Sequence, residues 1–411
     1  MLRNKTFLVV SLLLTSFYSS LYSQNNTDSP YSRYGYGNLT NPVNGMSRAM
    51  GGTSYGMRGN LQPNFMNPAS YSAVDSLTFI FDMAVSGYVG KFNEANYKET
   101  YTNGNIDYIT MQFPVSKKIG ISMGLVPYSF VGYNYSTIDT VHAKVVNNYI
   151  GTGGLSQVYI GGAINLFKGF SAGVNASYLF GAIDHTYTPI FNDYNVDAYG
   201  WAEMTRVSDF KFDVGLQYTT EMRDYKQFTI GAVFSPKMDL NTTSRLVRNI
   251  EGGKYDTVWT KNKGYQLPLN IGLGVNYKWN RKYTLAADVQ YQNWASTQFA
   301  ELGNQFNNSY RGSVGFEYIP NLQDRAFLNK VRYRAGLNYN QSPIKVNGNK
   351  VQELGLSLGL GLPLKSGKSM INLSFEYISR NAPGTTYVKE NYYKLTLNMN
   401  VNEFWFFKQR L

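Results

Sequence analysis

Two histidines, His142 and His185, and no cysteine are all this 411-residue chain offers to metal binding or imidazole catalysis. A zinc or transition-metal site needs three or four converging nitrogen, sulfur or carboxylate ligands. No His/Asp/Glu cluster has that spacing, and both histidines sit in or beside expected loops. Gly151-Thr152-Gly153-Gly154 has the glycines of a phosphate-cradling turn, but no Lys-Ser/Thr follows and a strand-like run comes next. Gly359-Leu360-Gly361 lies inside a strand-like run rather than at a strand-to-helix turn, so it is not read as a dinucleotide site. Asp288, Glu317 and Glu376 fall where side chains on separate strands are expected to point inward. Paired acids can do general acid–base chemistry, yet Arg332 and Arg334 are at hand to neutralise them. A lipid-acting enzyme would need a Ser/His pair beside an acid, which is missing. The expectation is a protein that is not an enzyme and carries no metal or cofactor.

The elements that would position any site are strands. Leu354, Leu356, Leu358, Leu360, Leu362 and Leu364 alternate with Gly355, Ser357, Gly359, Gly361 and Pro363. Ile371, Leu373, Phe375 and Tyr377 alternate with Asn372, Ser374 and Glu376, and Tyr393 to Val401 repeats the pattern. A period of two puts one set of side chains on each face of a strand. A soluble sandwich would alternate too, but with shorter strands. The strand lengths, an export signal, 35 tyrosines and 39 glycines point instead to a barrel in a membrane, with tyrosine at the two interfaces and glycine relieving a crowded lumen.

The export signal is Arg3 and Lys5 followed by the apolar run Thr6 to Leu14, too short to span a bilayer. Cleavage is expected near Ser23 and Gln24. No later apolar stretch reaches the roughly 18–20 residues of a membrane helix. The formal charge of +12 includes Arg3 and Lys5. The remaining cations are scattered and flank turns, as at Lys117-Lys118, Arg281-Lys282, Lys365 and Lys368. They suit lipid headgroups at a rim, and nucleic acid is not an expected partner.

Residues 1–23 are thus read as signal, 24–75 as an irregular segment too loose to be a domain, and 76–411 as the barrel. The middle segment holds Pro30, Pro42, Pro63 and Pro68 with little alternation, and its natural place is inside the barrel. The expected fold is all-β: a transmembrane antiparallel β-barrel of about 14 strands, range 12–16, with an N-terminal plug in the lumen. Tight turns at 167–170 and 279–282 contrast with long connections at 185–209, 295–309 and 341–350. Short turns on one side and long loops on the other is outer-membrane asymmetry. The basic tail Lys408-Gln409-Arg410-Leu411 follows an aromatic cluster and departs from the terminal phenylalanine common in such barrels.

Arg48-Ala49-Met50-Gly51-Gly52, followed by Asn67-Pro68-Ala69-Ser70 just before the first strand, resembles the plug of the FadL-type outer membrane transport family. Residues Leu155–Gly181 resemble that family's paired strands around a tight turn. Residues Tyr333–Tyr339 with Gln341-Ser342-Pro343 resemble its late strand and loop. The resemblance implies a plug motif at Arg48, Gly51, Gly52, Asn67, Pro68 and Ala69. It also implies outer-membrane lipids around the barrel of a Gram-negative bacterium, and a hydrophobic, fatty-acid-like ligand that leaves sideways through the wall. Met46, Met50, Tyr55, Met57, Phe65 and Met66 are candidate ligand contacts, although packing of the plug against the wall would use them equally. Gly124, Pro127 and Gly132 are a candidate kink for a lateral gate, since proline removes a ladder donor. Ser32-Arg33-Tyr34-Gly35-Tyr36-Gly37 looks like a tyrosine-rich variant. Some barrels of this type instead serve protein secretion, as type IX shuttles do, or surface attachment, so protein partners stay open as the alternative.

Overall fold

The computed structural model describes residues 26–94, 97–139, 145–191, 199–250, 254–261, 264–299, 306–346, 348–364, 367–384 and 387–404. The expected signal and the basic tail lie outside them. The chain begins with an irregular segment holding the two-residue strand β1 (Asn38–Leu39), a one-turn helix α1 (Gly45–Arg48) and a 3-10 turn, Pro68–Ala73. Seven long strands follow: β2 (Thr78–Glu94), β3 (Tyr97–Pro114), β4 (Ile119–Asp139), β5 (Val145–Phe167), β6 (Phe170–Ile190), β7 (Trp201–Met222) and β8 (Lys226–Ser235). Four short strands come next: β9 (Met238–Leu240), β10 (Thr242–Ile250), β11 (Lys254–Lys261) and β12 (Tyr265–Leu267). The second wall run is β13 (Asn270–Trp279), β14 (Tyr283–Gln292), β15 (Ser309–Tyr318), β16 (Arg332–Val346), β17 (Asn349–Pro363), β18 (Met370–Asn381) and β19 (Lys389–Phe404).

β2–β8 and β13–β19 form a closed antiparallel barrel of 14 strands. β8 pairs with β13 across the insertion, and β19 pairs with β2 from Phe404↔Thr78 to Lys389↔Asn93, which removes both sheet edges. Alternation decides which face meets lipid. Leu354, Leu356, Leu358 and Leu360 stand outward and exposed, while Ser357 and Gly359 turn to the plug. The same exposed apolar belt continues through Phe375, Leu395, Leu397, Val174, Phe210, Phe212 and Leu273. A belt of that extent has no place in water, and helices or closed barrels are the structures that satisfy the backbone in lipid. The protein is an outer-membrane barrel. Trp279, Tyr283 and Tyr318 stack with ring centroids 5.1 and 5.2 Å apart at the rim beside the tight turns, where amphipathic rings meet headgroups. Two hairpin turns place adjacent residues at positive φ, Asp224-Tyr225 and Asn280-Arg281, the left-handed backbone on which tight hairpins draw.

Several strands run further than alternation predicts. β6 continues to Ile190 and β7 starts at Trp201, inside what reads as a long loop, and β3 begins at Tyr97 in a polar run. Beyond the lipid both faces meet water or loops, so the pattern fades while the ladder bonds continue. The β10–β11 hairpin extends this outer wall by pairing Thr242–Arg248 with β7.

Inside, Glu317 binds Arg334 Nε at 2.7 Å and Arg332 at 3.4 Å, and Arg334 also donates to Asn372 at 2.6 Å. Glu317 is therefore held in an ion-pair network on the wall. Glu317→Ala would leave Arg334 buried without a countercharge, which costs about 3–5 kcal/mol. A lowered midpoint for the shift from folded to unfolded mobility in a urea–gel titration is the expected result, and an unchanged midpoint would refute it.

Candidate functional site

The plug is held by its own polar residues and fits a socket of wall glycines. Asn44 caps α1, accepting from Ser47 N at 2.9 Å, and donates to Pro63 O at 2.8 Å. Arg48, the last residue of the helix, reaches Glu376 of β18 at 3.4 Å and Asp107 of β3 at 3.5 Å, bridging strands on either side of the β19–β2 closure. Gly51 and Gly52 have φ of +69° and +83°. A side chain at Gly51 would also meet the backbone of Leu337 at 2.6 Å, so conformation and space both demand glycine. Asn67 caps the 3-10 turn by accepting from Ala69 N at 3.1 Å, and its amide donates to Tyr55 O at 2.8 Å. Pro68 lies against Gly173 and Gly215 of the wall. Arg58, which no residue pattern marks, donates to Ala69 O, Ser171, Gln217, Ser72 and Asn165. With acceptors but no carboxylate partner among the described residues, burial pulls its guanidinium down to about 10.

A cavity of about 350 Å³ separates the plug from the wall. Of the six candidate contacts, Tyr55, Phe65 and Met66 line it. Phe65 meets Tyr108 with centroids 5.2 Å apart. Met50 and Met57 instead pack with Ala286, and Met46 against them, away from the cavity. The rest of the lining carries charge: Arg48, Asp107, Lys211, Asp213, Arg311 and Glu376 are among it. Lys211 pairs with Asp213 at 2.6 Å. Arg311 has no carboxylate partner among the described residues and donates to Gly51 O at 3.3 Å. On the loop side an aromatic cluster shuts the lumen, with Tyr36 at 4.8 Å from Phe299 and 6.0 Å from Trp294, and Tyr265 at 4.6 Å from Phe299. His185 is bonded to Tyr133 at 2.6 Å beside this cluster. His142 lies outside the described residues. Asp288 anchors the plug backbone by accepting from Tyr55 N at 2.8 Å.

Among the described residues the wall ladder is interrupted at one seam. β2–β3 pair from Ile80↔Gln112 to Glu94↔Tyr97, but β3–β4 pair from Pro114↔Gly120 and stop at Ile109↔Leu125. Above that point β4 continues on β5 to Asp139↔Val145, with a bulge between Pro127 and Ser129. Gly124 lies just below the break, Pro127 at the bulge, and Gly132 in the unpaired stretch. A bulge bends a strand and re-aims its edge, and proline at Pro127 supplies no ladder N–H.

The plug's own N-terminal stretch fills the break. Asn38 and Leu39 pair with Phe130 and Ser129, Thr40 donates its N–H to Tyr128 O at 3.0 Å, and Ser32 Oγ bonds both N and O of Gly132 at 3.1 and 3.0 Å. Toward β3, Asn105 donates to Asn26 O at 3.2 Å and Asn103 bonds Asp28. Residues 26–40 thus form a strap from one lip of the seam to the other. The cavity touches the strap at Asn26, Thr27 and Gly37–Thr40, and both lips at Asp107 and Pro127–Tyr128. No sequence signal marks a strap, because a register against β4 is not written in residue types.

The family model described as BamG matches residues 1–411. No curated protein sequence matches. Among solved structures, the Pseudomonas putida toluene transporter TodX shares 16% identity over 89% of this chain and 99% of its own, with a TM-score of 0.62. The Ralstonia pickettii toluene transporter TbuX shares 14% over 88% and 98%, with a TM-score of 0.65. A Pseudomonas aeruginosa FadL homologue shares 11% over 91% and 100%, with a TM-score of 0.61. The fold is that of FadL-type barrels, as the plug motif leads one to expect.

Proposed function

The chain belongs to the BamG family, and from that premise we propose that it is a passive outer-membrane channel for hydrophobic small molecules, released sideways into the bilayer. The observation that carries this reading is the meeting of cavity, strap and interrupted seam. A molecule resting against Tyr55, Phe65 and Met66 would have the strap between it and lipid at the β3–β4 break. The solved barrels of the same fold include proteins described as toluene transporters, which supports the same class of ligand here. A lateral route suits a greasy molecule, since a water-filled pore offers it no advantage. The plug motif Arg48, Gly51, Gly52, Asn67, Pro68 and Ala69 would hold the cavity's inner wall in place, and Gly124, Pro127 and Gly132 would shape the exit.

A second reading has its own support. The cavity wall is charged, whereas pockets for drug-sized hydrophobic ligands are mostly apolar. The β10–β11 hairpin also presents exposed Tyr255 and Trp259. A barrel that serves protein secretion or surface attachment would be built this way.

Titration of the detergent-folded full chain with a fluorescent long-chain fatty acid separates the two. The channel reading expects saturable binding, displaced by unlabelled fatty acid and weakened about tenfold by Phe65→Ala, the loss of roughly 1.4 kcal/mol of apolar contact. Binding no higher than detergent background in a folded barrel would sink it and favour protein partners.

A further inference from the structure

Above the lipid belt, four aromatic side chains lie side by side across four strands. Tyr135 of β4 is paired with Tyr149 of β5, Tyr149 with Tyr187 of β6, and Tyr187 with Trp201 of β7. The row continues in register through Arg248 of β10 to Asp256 of β11. Directly paired residues of antiparallel strands share a face. Ring centroids are 5.4, 5.2 and 6.0 Å apart, and successive planes differ by 32°, 35° and 33°. The face is the concave one, because Tyr133, two residues before Tyr135, belongs to the lumen cluster with Tyr36 and Leu155. On β7 the outward positions change from Phe210 to the exposed polar Ser208 and Arg206. Trp201 stands nine residues beyond Phe210, about 30 Å of extended strand at 3.3 Å per residue, on the side of the long loops.

We propose that this row is a saccharide-binding platform on the cell-surface side of the barrel. Its four rings are half-buried rather than sealed in a core. Aromatic rings offer a flat apolar face at low conformational cost and keep a polar edge in water. A pyranose ring offers the complement, one face of C–H bonds and a rim of hydroxyls. The polar groups needed to grip such a rim flank the rings: Arg248 and Asp256 end the row, and Asn147 is bonded to the Tyr187 hydroxyl at 2.8 Å. A hydrocarbon would gain nothing from these groups and would be better held in a dry pocket. At the inner end Arg33 of the strap lies 4.1 Å from the Tyr149 ring centroid and donates to the Tyr135 hydroxyl at 2.6 Å. It occupies the inner two rings as a cation over an aromatic face. Among the described residues no cation lies over Tyr187 or Trp201, and a chain of two or more sugars would start there.

The platform does not rest on the channel reading: Tyr187 and Trp201 lie on β6 and β7, away from the cavity and the β3–β4 break, and only the inner end, at Tyr135 and Arg33, adjoins the seam. The test is capture of the labelled, detergent-folded full chain on a glycan array spanning neutral, acidic and amino sugars, followed by titration of the captured glycan. Trp201→Ala and Tyr187→Ala should each weaken binding about tenfold, the loss expected of one stacked ring, while Trp201→Phe keeps most of it. Excess toluene should not compete. Capture of no glycan by a barrel that keeps its folded gel mobility would overturn the proposal, and so would equal binding by the parent chain and Trp201→Ala.

Discussion

Gly336→Val is expected to expel the plug and turn a closed barrel into an open pore. A Cβ at Gly336 would lie 2.0 Å from Gly51 N and 2.2 Å from Met50 C. Both are backbone atoms, so no side chain can swing aside. Adding bulk to a well-packed core already costs about 1–3 kcal/mol when side chains can adjust, and here they cannot. The wall keeps its ladder, since β16 is bonded to β15 and β17 on either side of Gly336. The plug must give way instead, losing the Gly51 N to Ser357 Oγ bond of 2.8 Å with it. In planar bilayers the parent protein should stay shut and the variant should conduct steadily. Cells carrying the variant should take up large hydrophilic antibiotics that the parent excludes. Gly336→Ala should show a weaker form of both. A Gly336→Val barrel that stays shut would mean that the socket is not what seats the plug.

The second large effect is a lock. Leu39 and Ser129 are direct partners in an antiparallel pair, which sets their Cα atoms roughly 4.5–5.5 Å apart, within disulfide range. The chain has no cysteine of its own, so Leu39→Cys with Ser129→Cys makes a single defined bond. Oxidised, it rivets the strap to β4 and keeps the seam shut. Uptake of a fluorescent fatty acid by cells should fall to the level of cells lacking the protein, and a reductant should restore it. Binding to the solubilised barrel should persist in both states. Uptake at parent rates with the disulfide formed would exclude release past the strap.

The wall was legible in the sequence because lipid imposes a strict code. Leu354 to Leu360 had to alternate with small residues, since one face meets hydrocarbon and the other meets Ala49 and its neighbours. The tight turns were legible for a related reason, as Asn280 and Gly169 are residues that tolerate the left-handed backbone required there. At the positions singled out as a plug motif the structure has left-handed φ at Gly51 and Gly52 and a side-chain cap at Asn67. Three things were not legible. The strap pairs Asn38-Leu39 with β4 through backbone atoms, which any sequence could offer. The cavity draws Lys211, Arg311 and Glu376 from strands far apart in the chain. The aromatic row depends on register, so Tyr149 and Tyr187, 38 positions apart, read as two more tyrosines among 35.

The strap also bears on the order in which the molecule can be made. Ser29 donates to Glu390 at 2.6 Å across 361 positions, Tyr31 to Val388 O at 2.7 Å, and Arg380 to Asn38 at 3.0 Å. An early segment of the chain is tied to a late one. Such contacts carry the largest loop-closure entropy and form late. Until β19 arrives to meet β2, the strap lacks these anchors and the growing sheet has two raw edges. Completion is therefore all or nothing. A chain cut short before Lys389 loses its closing strand and the last fastening of its first residues together, and cannot settle as a smaller barrel with a seated plug.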